Sequence, residues 1–200
     1  MLKIDENGII VHPEIIVKIF KKIEKGPMPR VYGIIVHQTG APTRQSTFNS
    51  YENGGNGAHF LIDLDGEIFQ TASVTQLTHH VGPLRSRCVA ERRCTGAEVI
   101  LENNKESIKL HKIEQKKKIH DRYPSNLESI GIEIVGYYDK RTDNEGQTIY
   151  IYRKLTSFQQ TALKWLIREL EETLDVPLSE VFKHPTVSFK TESEADSAQW

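Results

Sequence analysis

The chain has 200 residues, a formal net charge of −1 and a hydrophobic share of 38%. Its length predicts one domain, spanning residues 1–200, with a core of ordinary size. The composition excludes disordered, collagen-like and low-complexity proteins, and the balanced charge argues against a nucleic-acid-binding surface. No apolar run approaches the roughly 18 residues that a membrane-spanning helix needs.

The N-terminal part of the chain predicts a helix followed by strands. Residues 13–25 carry isoleucines at helical spacing, with Pro13 suited to the first helical turn. Residues 31–37 (VYGIIVH) are rich in β-branched residues and predict a buried strand that runs into a polar loop. Residues 59–70 alternate apolar and polar side chains around Asp65–Gly66, which predicts a β-hairpin.

The C-terminal half predicts further strands and one long helix. Residues 130–135 (IGIEIV) have an apolar strand pattern, and residues 148–152 are compatible with another strand. Thr156 and Gln159 form a capping box ahead of an amphipathic helix. The apolar face of this helix comprises Phe158, Leu163, Leu166, Ile167 and Leu170. The predicted fold class is therefore α/β, a single domain with a central mixed β-sheet flanked by helices.

Residues 83–128 stand apart because they contain both cysteines and a charged, helix-prone stretch. Cys88 and Cys94 do not have the spacing of a zinc finger, and the chain has no second cysteine pair. Unlinked thiols in a reducing cytoplasm are the favoured interpretation, and a local disulfide in a protein that acts outside the cytoplasm is the alternative. We interpret the lysine run at 116–118 as a solvated face rather than a phosphate-binding patch.

Three residues are the strongest candidates for chemistry. His37 ends a predicted buried strand, at a position where open sheets meet ligands, and His184 follows the long helix. Glu133 interrupts an apolar strand, where an ionised carboxylate needs a partner unless the position faces water at a sheet edge. Two histidines and an acidic group would form an open zinc site. The sequence contains no motif of serine hydrolases, P-loop nucleoside triphosphatases or dinucleotide-binding proteins.

Five sequence blocks follow one another in a recognisable order. They are GIIVHQTGAPT (33–43), NGAHFLIDLDGEIFQ (56–70), LTHHVG (77–82), SIGIEIVG (129–136) and KHPTVSFKTE (183–192). In this order the blocks resemble the zinc-dependent N-acetylmuramoyl-L-alanine amidase family, which includes AmpD-like and AmiD-like enzymes, phage lysozyme-type amidases and peptidoglycan recognition proteins. The resemblance implies that family's fold and cleavage of the bond between N-acetylmuramic acid and the L-alanine of the stem peptide. Because the family usually joins the third and fourth blocks by a much shorter connection, we interpret residues 83–128 as a helical insertion beside the cleft.

The resemblance also implies a set of zinc ligands. His37 matches the first ligand and His184 the second. Glu192 stands where the family usually has aspartate or cysteine as the third ligand, and zinc accepts a carboxylate oxygen from either acidic residue. Glu194 and Asp196 are the nearby alternatives for this position.

Three further residues receive roles from the same resemblance. Glu133 matches the carboxylate that acts as general base, which takes a proton from water and returns it to the leaving nitrogen. Lys190 matches a lysine near the metal that could stabilise the oxyanion. His80 resembles a cleft histidine that contacts substrate, whereas His59 belongs to its block as a packing residue.

Two functions of different classes remain open on the sequence. The favoured one is a zinc amidase whose partners are peptidoglycan or muropeptides, and the alternative is a non-catalytic peptidoglycan-binding recognition module. The first 16 residues lack the apolar stretch and cleavage site of a secretory signal peptide. We therefore expect synthesis in the cytoplasm, followed either by delivery to the cell wall through a non-Sec route or by muropeptide recycling in the cytoplasm. Delivery by a type VI-like system would make the protein an antibacterial effector with an immunity or inhibitor partner.

Overall fold

The computed structural model describes residues 1–94 and 96–200. The strands in these ranges are β1 (Lys3–Ile4), β2 (Ile10–Val11), β3 (Ile15–Val17), β4 (Glu24–Pro27), β5 (Gly33–Gln38), β6 (Phe60–Ile62), β7 (Ile68–Gln70), β8 (Gln76–Thr78), β9 (Ser129–Ile134), β10 (Tyr138–Thr142), β11 (Thr148–Tyr152) and β12 (Val181–Lys183). The helices are α1 (Arg44–Glu52), α2 (Arg87–Ala90), α3 (Ala97–Asn103), α4 (Ser107–Glu114), α5 (Ser157–Leu174) and α6 (His184–Val187). None of the helices in the described ranges combines the length and the apolar character needed to cross a membrane.

The central sheet has the strand order β12-β5-β9-β6-β7-β3. All neighbouring strands in it are parallel except β6 and β7, which form the antiparallel hairpin predicted around Asp65–Gly66. The predicted strands at 31–37 and 130–135 are β5 and β9, and they pair along their whole length. The α/β class with one mixed central sheet is thereby confirmed.

The two faces of the sheet are covered differently. One face packs against α5, and its core includes Ile34, Val36, Phe60, Ile132 and Ile134 from the strands and Leu163, Leu166, Ile167 and Leu170 from the helix. Alternate residues along a strand point to opposite faces, so His37 and Glu133 lie on the other face. Two smaller apolar clusters cover that face, one around α1 and one around Leu84 and Tyr123.

The predicted helix at residues 13–25 is wrong. These residues form the edge strand β3, a short 3₁₀ segment at Lys21–Ile23 and part of β4. In β3 only Ile15 is buried, while Ile16 and Val17 are 42% and 48% exposed, so the isoleucines do not share one helical face. The β-branched side chains fit the parallel pairing of β3 with β7. A short apolar run by itself does not distinguish the periodicity of a helix from that of a strand.

Helix α5 begins with the predicted capping box. The Thr156 hydroxyl accepts a hydrogen bond from the Gln159 amide, and the Gln159 side chain accepts one from the Thr156 amide. Four of the five predicted apolar positions are buried, but Phe158, in the first turn of the helix beside Gly66, is 66% exposed. The strand predicted at 148–152 exists as β11, although it pairs with β10 in a separate hairpin rather than joining the central sheet.

Residues 83–128 contain α2, α3 and α4 and one disulfide bond. Cys88 and Cys94 are joined, so the disulfide alternative applies and the favoured interpretation of unlinked thiols does not. Lys117 is also not a solvated residue: its ammonium group lies 2.7 Å from both the Glu98 and the Glu114 carboxylates. Whether this segment is an insertion relative to the family stays a prediction.

The capping box generates a stability prediction. Thr156→Ala should lower the free energy of unfolding by about 1–2 kcal/mol, because it leaves the Gln159 amide without its acceptor. Thr161→Ala is the matched control, since the exposed Thr161 hydroxyl only donates to the Ser157 carbonyl within α5. Urea unfolding of both variants checks the prediction, and an equal loss of stability in the two would contradict it.

Candidate active site

Three neighbouring strands of the central sheet carry polar residues to one edge. His37 on β5 and Glu133 on β9 are direct partners in the parallel register, so their side chains leave the same face. His184 follows directly after β12, which pairs with β5 on its other side. The carboxyl ends of parallel strands are where α/β sheets commonly place ligand sites.

Glu194 completes a buried cluster with the two histidines. Its Oε1 lies 2.8 Å from His184 Nδ1 and 3.6 Å from His37 Nδ1. One ligand atom from each of the three residues falls within 4.8 Å of the others, and the side chains of all three residues are buried. Two imidazoles and one carboxylate are the protein ligands of many open catalytic zinc sites.

One polar atom of this cluster and one of the neighbouring Glu133 have no hydrogen-bond partner. Among the described residues, His184 Nε2 and Glu133 Oε2 are buried and have no hydrogen-bond partner. A buried nitrogen or carboxylate oxygen without a partner is costly unless another group satisfies it. The residues present therefore fit a metal ion, and zinc in particular matches their donor types.

The third predicted ligand, Glu192, does not join the cluster. Its side chain is exposed, and Glu194, one of the two alternatives, takes the buried position. The reason lies in the turns after Lys190: the Glu194 amide bonds the Thr191 carbonyl, and Ala195 has a left-handed φ of 54°. Because of these turns, the acidic side chain that faces the two histidines is that of Glu194, two residues after Glu192.

Gln38 holds this turn in place. Its Oε1 accepts a hydrogen bond from the amide of Ala195, directly after Glu194, and its Nε2 donates to the carbonyl of Arg153. Gln38 directly follows His37 on β5. These two consecutive residues therefore set the positions of two cluster members, His37 itself and Glu194 through the hydrogen bond between Gln38 and Ala195. Sequence reasoning missed Gln38, and no local pattern marks it.

Glu133 and His37 have perturbed acidities with identifiable causes. Burial and the negative charge of Glu194 raise the pKa of Glu133 to about 8, and Lys190 opposes this shift. Burial and the neighbouring His184 lower the pKa of His37 to about 4, which favours the neutral imidazole that metals bind. Lys190 is exposed at the rim of the site, near enough for its charge to act on both groups.

His80 lies beneath His37 rather than in an open cleft. Its Nδ1 is 3.0 Å from His37 Nε2, and its Nε2 is 3.2 Å from the Ser129 carbonyl oxygen. A side chain on Gly131 would meet the His80 ring at 2.8 Å, so the glycine makes room for this packing. The arrangement favours His80 as a positioning partner of His37, as is common for metal-ligating histidines. Contact between His80 and substrate stays a prediction.

His59 packs as expected from its block. Its Nδ1 accepts a hydrogen bond from the Gly131 amide, and its Nε2 donates to the Gln76 carbonyl. Burial lowers the pKa of His59 to about 4, so the ring is neutral. Both nitrogens are thus occupied within the fold, and His59 is a structural residue.

The fold and this site together define an α/β domain with a buried cluster of two histidines and a carboxylate whose donor types suit a metal ion. The chain belongs to the N-acetylmuramoyl-L-alanine amidase family, whose sequence model matches residues 27–197. A search of curated protein sequences found no significant match.

Several solved structures share the fold at low sequence identity. The catalytic domain of XlyA is 19% identical with a TM-score of 0.51, and the match covers 88% of this chain and 87% of that one. AmpD is 16% identical with a TM-score of 0.55, over 98% of this chain and 93% of that one. AmpDH3 from Pseudomonas aeruginosa is 19% identical with a TM-score of 0.52, over 94% of this chain and 58% of that one.

The position of the third ligand can be tested directly. Glu194→Ala should weaken zinc binding by at least about 10-fold, because two histidines hold zinc poorly without the carboxylate. Glu192→Ala, two residues away and exposed, is the matched control and should bind zinc as the unmodified protein does. Competition with a chromophoric chelator measures both affinities. Normal zinc affinity in Glu194→Ala, together with a loss of affinity in Glu192→Ala, would show that Glu192 is the third ligand, as the sequence predicted.

Proposed function

We propose that the protein is a zinc-dependent amidase that hydrolyses the bond between N-acetylmuramic acid and the L-alanine of the stem peptide. The observation that carries this proposal is the buried cluster of His37, His184 and Glu194, with Glu133 paired beside His37. Membership of the amidase family supports the reaction, and the donor types support the metal.

His37, His184 and Glu194 are the residues that would hold the zinc ion. When bound, zinc supplies Lewis-acid chemistry, which makes water more acidic and polarises a carbonyl group. His80 accepts a hydrogen bond from the Nε2 of His37 and so fixes the orientation of that ring, leaving its Nδ1 directed at the cluster. The two-histidine, one-carboxylate set leaves room for water and substrate.

Glu133 is the proposed general base and acid. Burial raises the pKa of its carboxyl to about 8, so the ionised form is a stronger base than an exposed glutamate; it can take a proton from the attacking water and keep it until the amide bond breaks. It then returns the proton to the alanine nitrogen, which leaves as a neutral amine. Lys190, at the exposed rim, offers a positive charge to the carbonyl oxygen as negative charge develops on it.

A non-catalytic recognition module is the alternative function. Such a module needs neither a complete ligand set nor a carboxylate beside it, and this chain has both in Glu194 and Glu133. AmpDH3 has been solved in complex with an anhydromuramic pentapeptide, which supports muropeptides and peptidoglycan as the substrate class here.

The test is digestion of purified peptidoglycan by the zinc-loaded protein. Mass spectrometry should detect free stem peptides that begin with L-alanine, together with glycan strands whose lactyl groups are free carboxylic acids. Glu133→Gln should lower the turnover number by about 10²–10⁴, because it removes the proton acceptor while keeping size and hydrogen-bonding shape.

One control and two contrary outcomes complete this test. Zinc content should stay at the level of the unmodified protein, since Glu133 lies outside the proposed ligand set. Peptidoglycan binding without any release of peptides by the unmodified protein would favour the recognition module. Unchanged turnover in Glu133→Gln would assign Glu133 a structural role.

The disulfide supports action outside the cytoplasm. Stable disulfides belong mainly to oxidising compartments, so the Cys88–Cys94 bond fits a protein that meets peptidoglycan in the periplasm or outside the cell. We include in the proposal that the protein is an exported antibacterial amidase delivered by a non-Sec route. An immunity or inhibitor protein as partner is part of the same proposal and has no structural support of its own.

Cysteine titration tests this assignment. Protein recovered from an oxidising compartment should show no reactive thiols under denaturing conditions and two after reduction. Reduction should also lower the free energy of unfolding by about 2 kcal/mol, the gain that such a short loop provides. Two free thiols in that protein before reduction would contradict the Cys88–Cys94 pairing and remove its support for the proposed compartment.

A further inference from the structure

The hairpin of β10 and β11 begins four residues after β9 ends, beside the candidate active site. In its register Tyr138 is opposite Tyr152, and Lys140 is opposite Tyr150. Directly opposed residues share one side of a hairpin, and so do residues two apart on one strand. Tyr138, Tyr150, Tyr152 and Lys140 therefore form one surface, which we call the tyrosine face.

The rings of the tyrosine face pack against one another. The Tyr138 ring centroid lies 5.0 Å from that of Tyr150 and 5.4 Å from that of Tyr152. These are edge-to-face distances at which aromatic rings stabilise each other. Tyr150 nevertheless remains 38% exposed. The hairpin thus holds an aromatic surface in a fixed arrangement that is open to a ligand.

The inner end of the tyrosine face lies beside the loop that follows β5 and the turn that carries Glu194. A side-chain carbon on Gly40, in the loop after β5, would lie 2.9 Å from the Tyr138 ring and 3.4 Å from the Tyr152 hydroxyl. The Ser193 hydroxyl, next to Glu194, donates to the Tyr150 carbonyl and accepts from the Tyr152 amide. Burial and the negative charges of Glu194 and Glu133 raise the pKa of Tyr152, which is consistent with a phenol that lies close to both carboxylates.

We propose that the tyrosine face binds the glycan strand of peptidoglycan, and that Tyr150 contacts a sugar ring beyond the one that carries the scissile amide. This inference rests on the proposed amidase function. The scissile amide is attached to a sugar, so a glycan strand bound for cleavage must leave the catalytic residues along one side of the site. Tyrosine suits this contact because its ring packs against the C–H face of a pyranose while its hydroxyl bonds to polar groups.

The spacing along β11 sets which sugar each tyrosine meets. The Tyr152 amide bonds to Ser193, the neighbour of Glu194, and Tyr150 lies two residues before Tyr152 on the strand. Two residues of an antiparallel strand span about 7 Å, which is somewhat more than the length of one sugar ring. Tyr152 and Tyr138 therefore flank the muramoyl residue, and Tyr150 lies at the adjoining sugar.

The test compares Tyr150→Ala with Ile149→Ala. Both side chains are 38% exposed in the native protein, but Ile149 points to the opposite side of the hairpin. Calorimetry with peptide-free glycan strands should show binding to the native protein and to Ile149→Ala, and binding about 3- to 10-fold weaker to Tyr150→Ala. Tyr150→Phe keeps the ring and should bind within about 2-fold of the native protein.

Kinetics with defined substrates separates this role from a structural one. Tyr150→Ala should raise the KM for a tetrasaccharide muropeptide by a similar factor, with kcat unchanged and with no effect on a substrate that has a single muramoyl sugar. Equal behaviour of Tyr150→Ala and Ile149→Ala, or an equal loss on both substrates, would overturn the inference. Tyr150-dependent glycan binding by a protein that hydrolyses neither substrate would uphold the glycan surface and reject the amidase function alone.

Discussion

The constraint on which the site depends is the burial of the Glu194 carboxylate against two imidazoles. A carboxylate removed from water costs several kcal/mol unless a cation or strong hydrogen bonds compensate it. Burial works to raise the pKa of Glu194, but its contacts with His184 and His37 outweigh this and keep it well below the usual range. The carboxylate therefore stays ionised, and a divalent cation shared by the three residues would balance its charge. Since only the folded chain brings these three side chains together, binding of such a cation would be coupled to folding of this region.

The rest of the site is built to hold these side chains in one arrangement. The His37 ring bonds to His80, and His80 bonds to Ser129, so a chain of buried contacts runs back into the sheet. Gly131 allows this chain because any side chain there would occupy the position of the His80 ring. Removing a partner in the middle of such a buried network leaves an unsatisfied polar group, which costs more than the bond itself contributes. His80, which the sequence predicts to contact substrate, thus also supports the position of the His37 ring.

The sequence predicted those features that local patterns encode. Apolar β-branched runs predicted the strands that carry His37 and Glu133, and the pair Thr156 and Gln159 predicted the capping box of α5. The structure contains all three features. Whether Glu192 or Glu194 faces the histidines depends on the turn that the chain makes after Lys190. The left-handed backbone of Ala195 and its hydrogen bond to Gln38, which is far away in the sequence, determine this turn. No local pattern records such a contact. The helix predicted at residues 13–25 failed for a related reason, because pairing with β7 decides how the isoleucines of β3 are used.

The segment of residues 83–128 is joined firmly to the sheet rather than attached as a loose loop. Arg87 makes two hydrogen bonds of 2.9 Å to Glu180, and both side chains are buried. Breaking one partner of a buried ion pair typically costs about 3–5 kcal/mol, so this contact strongly restricts movement of α2. Glu180 directly precedes β12, the strand that leads to His184, and Arg87 directly precedes the disulfide-bonded Cys88. The disulfide thus restrains the arginine that braces the strand leading to His184, so a covalent bond within residues 83–128 contributes to the position of a residue in the buried cluster.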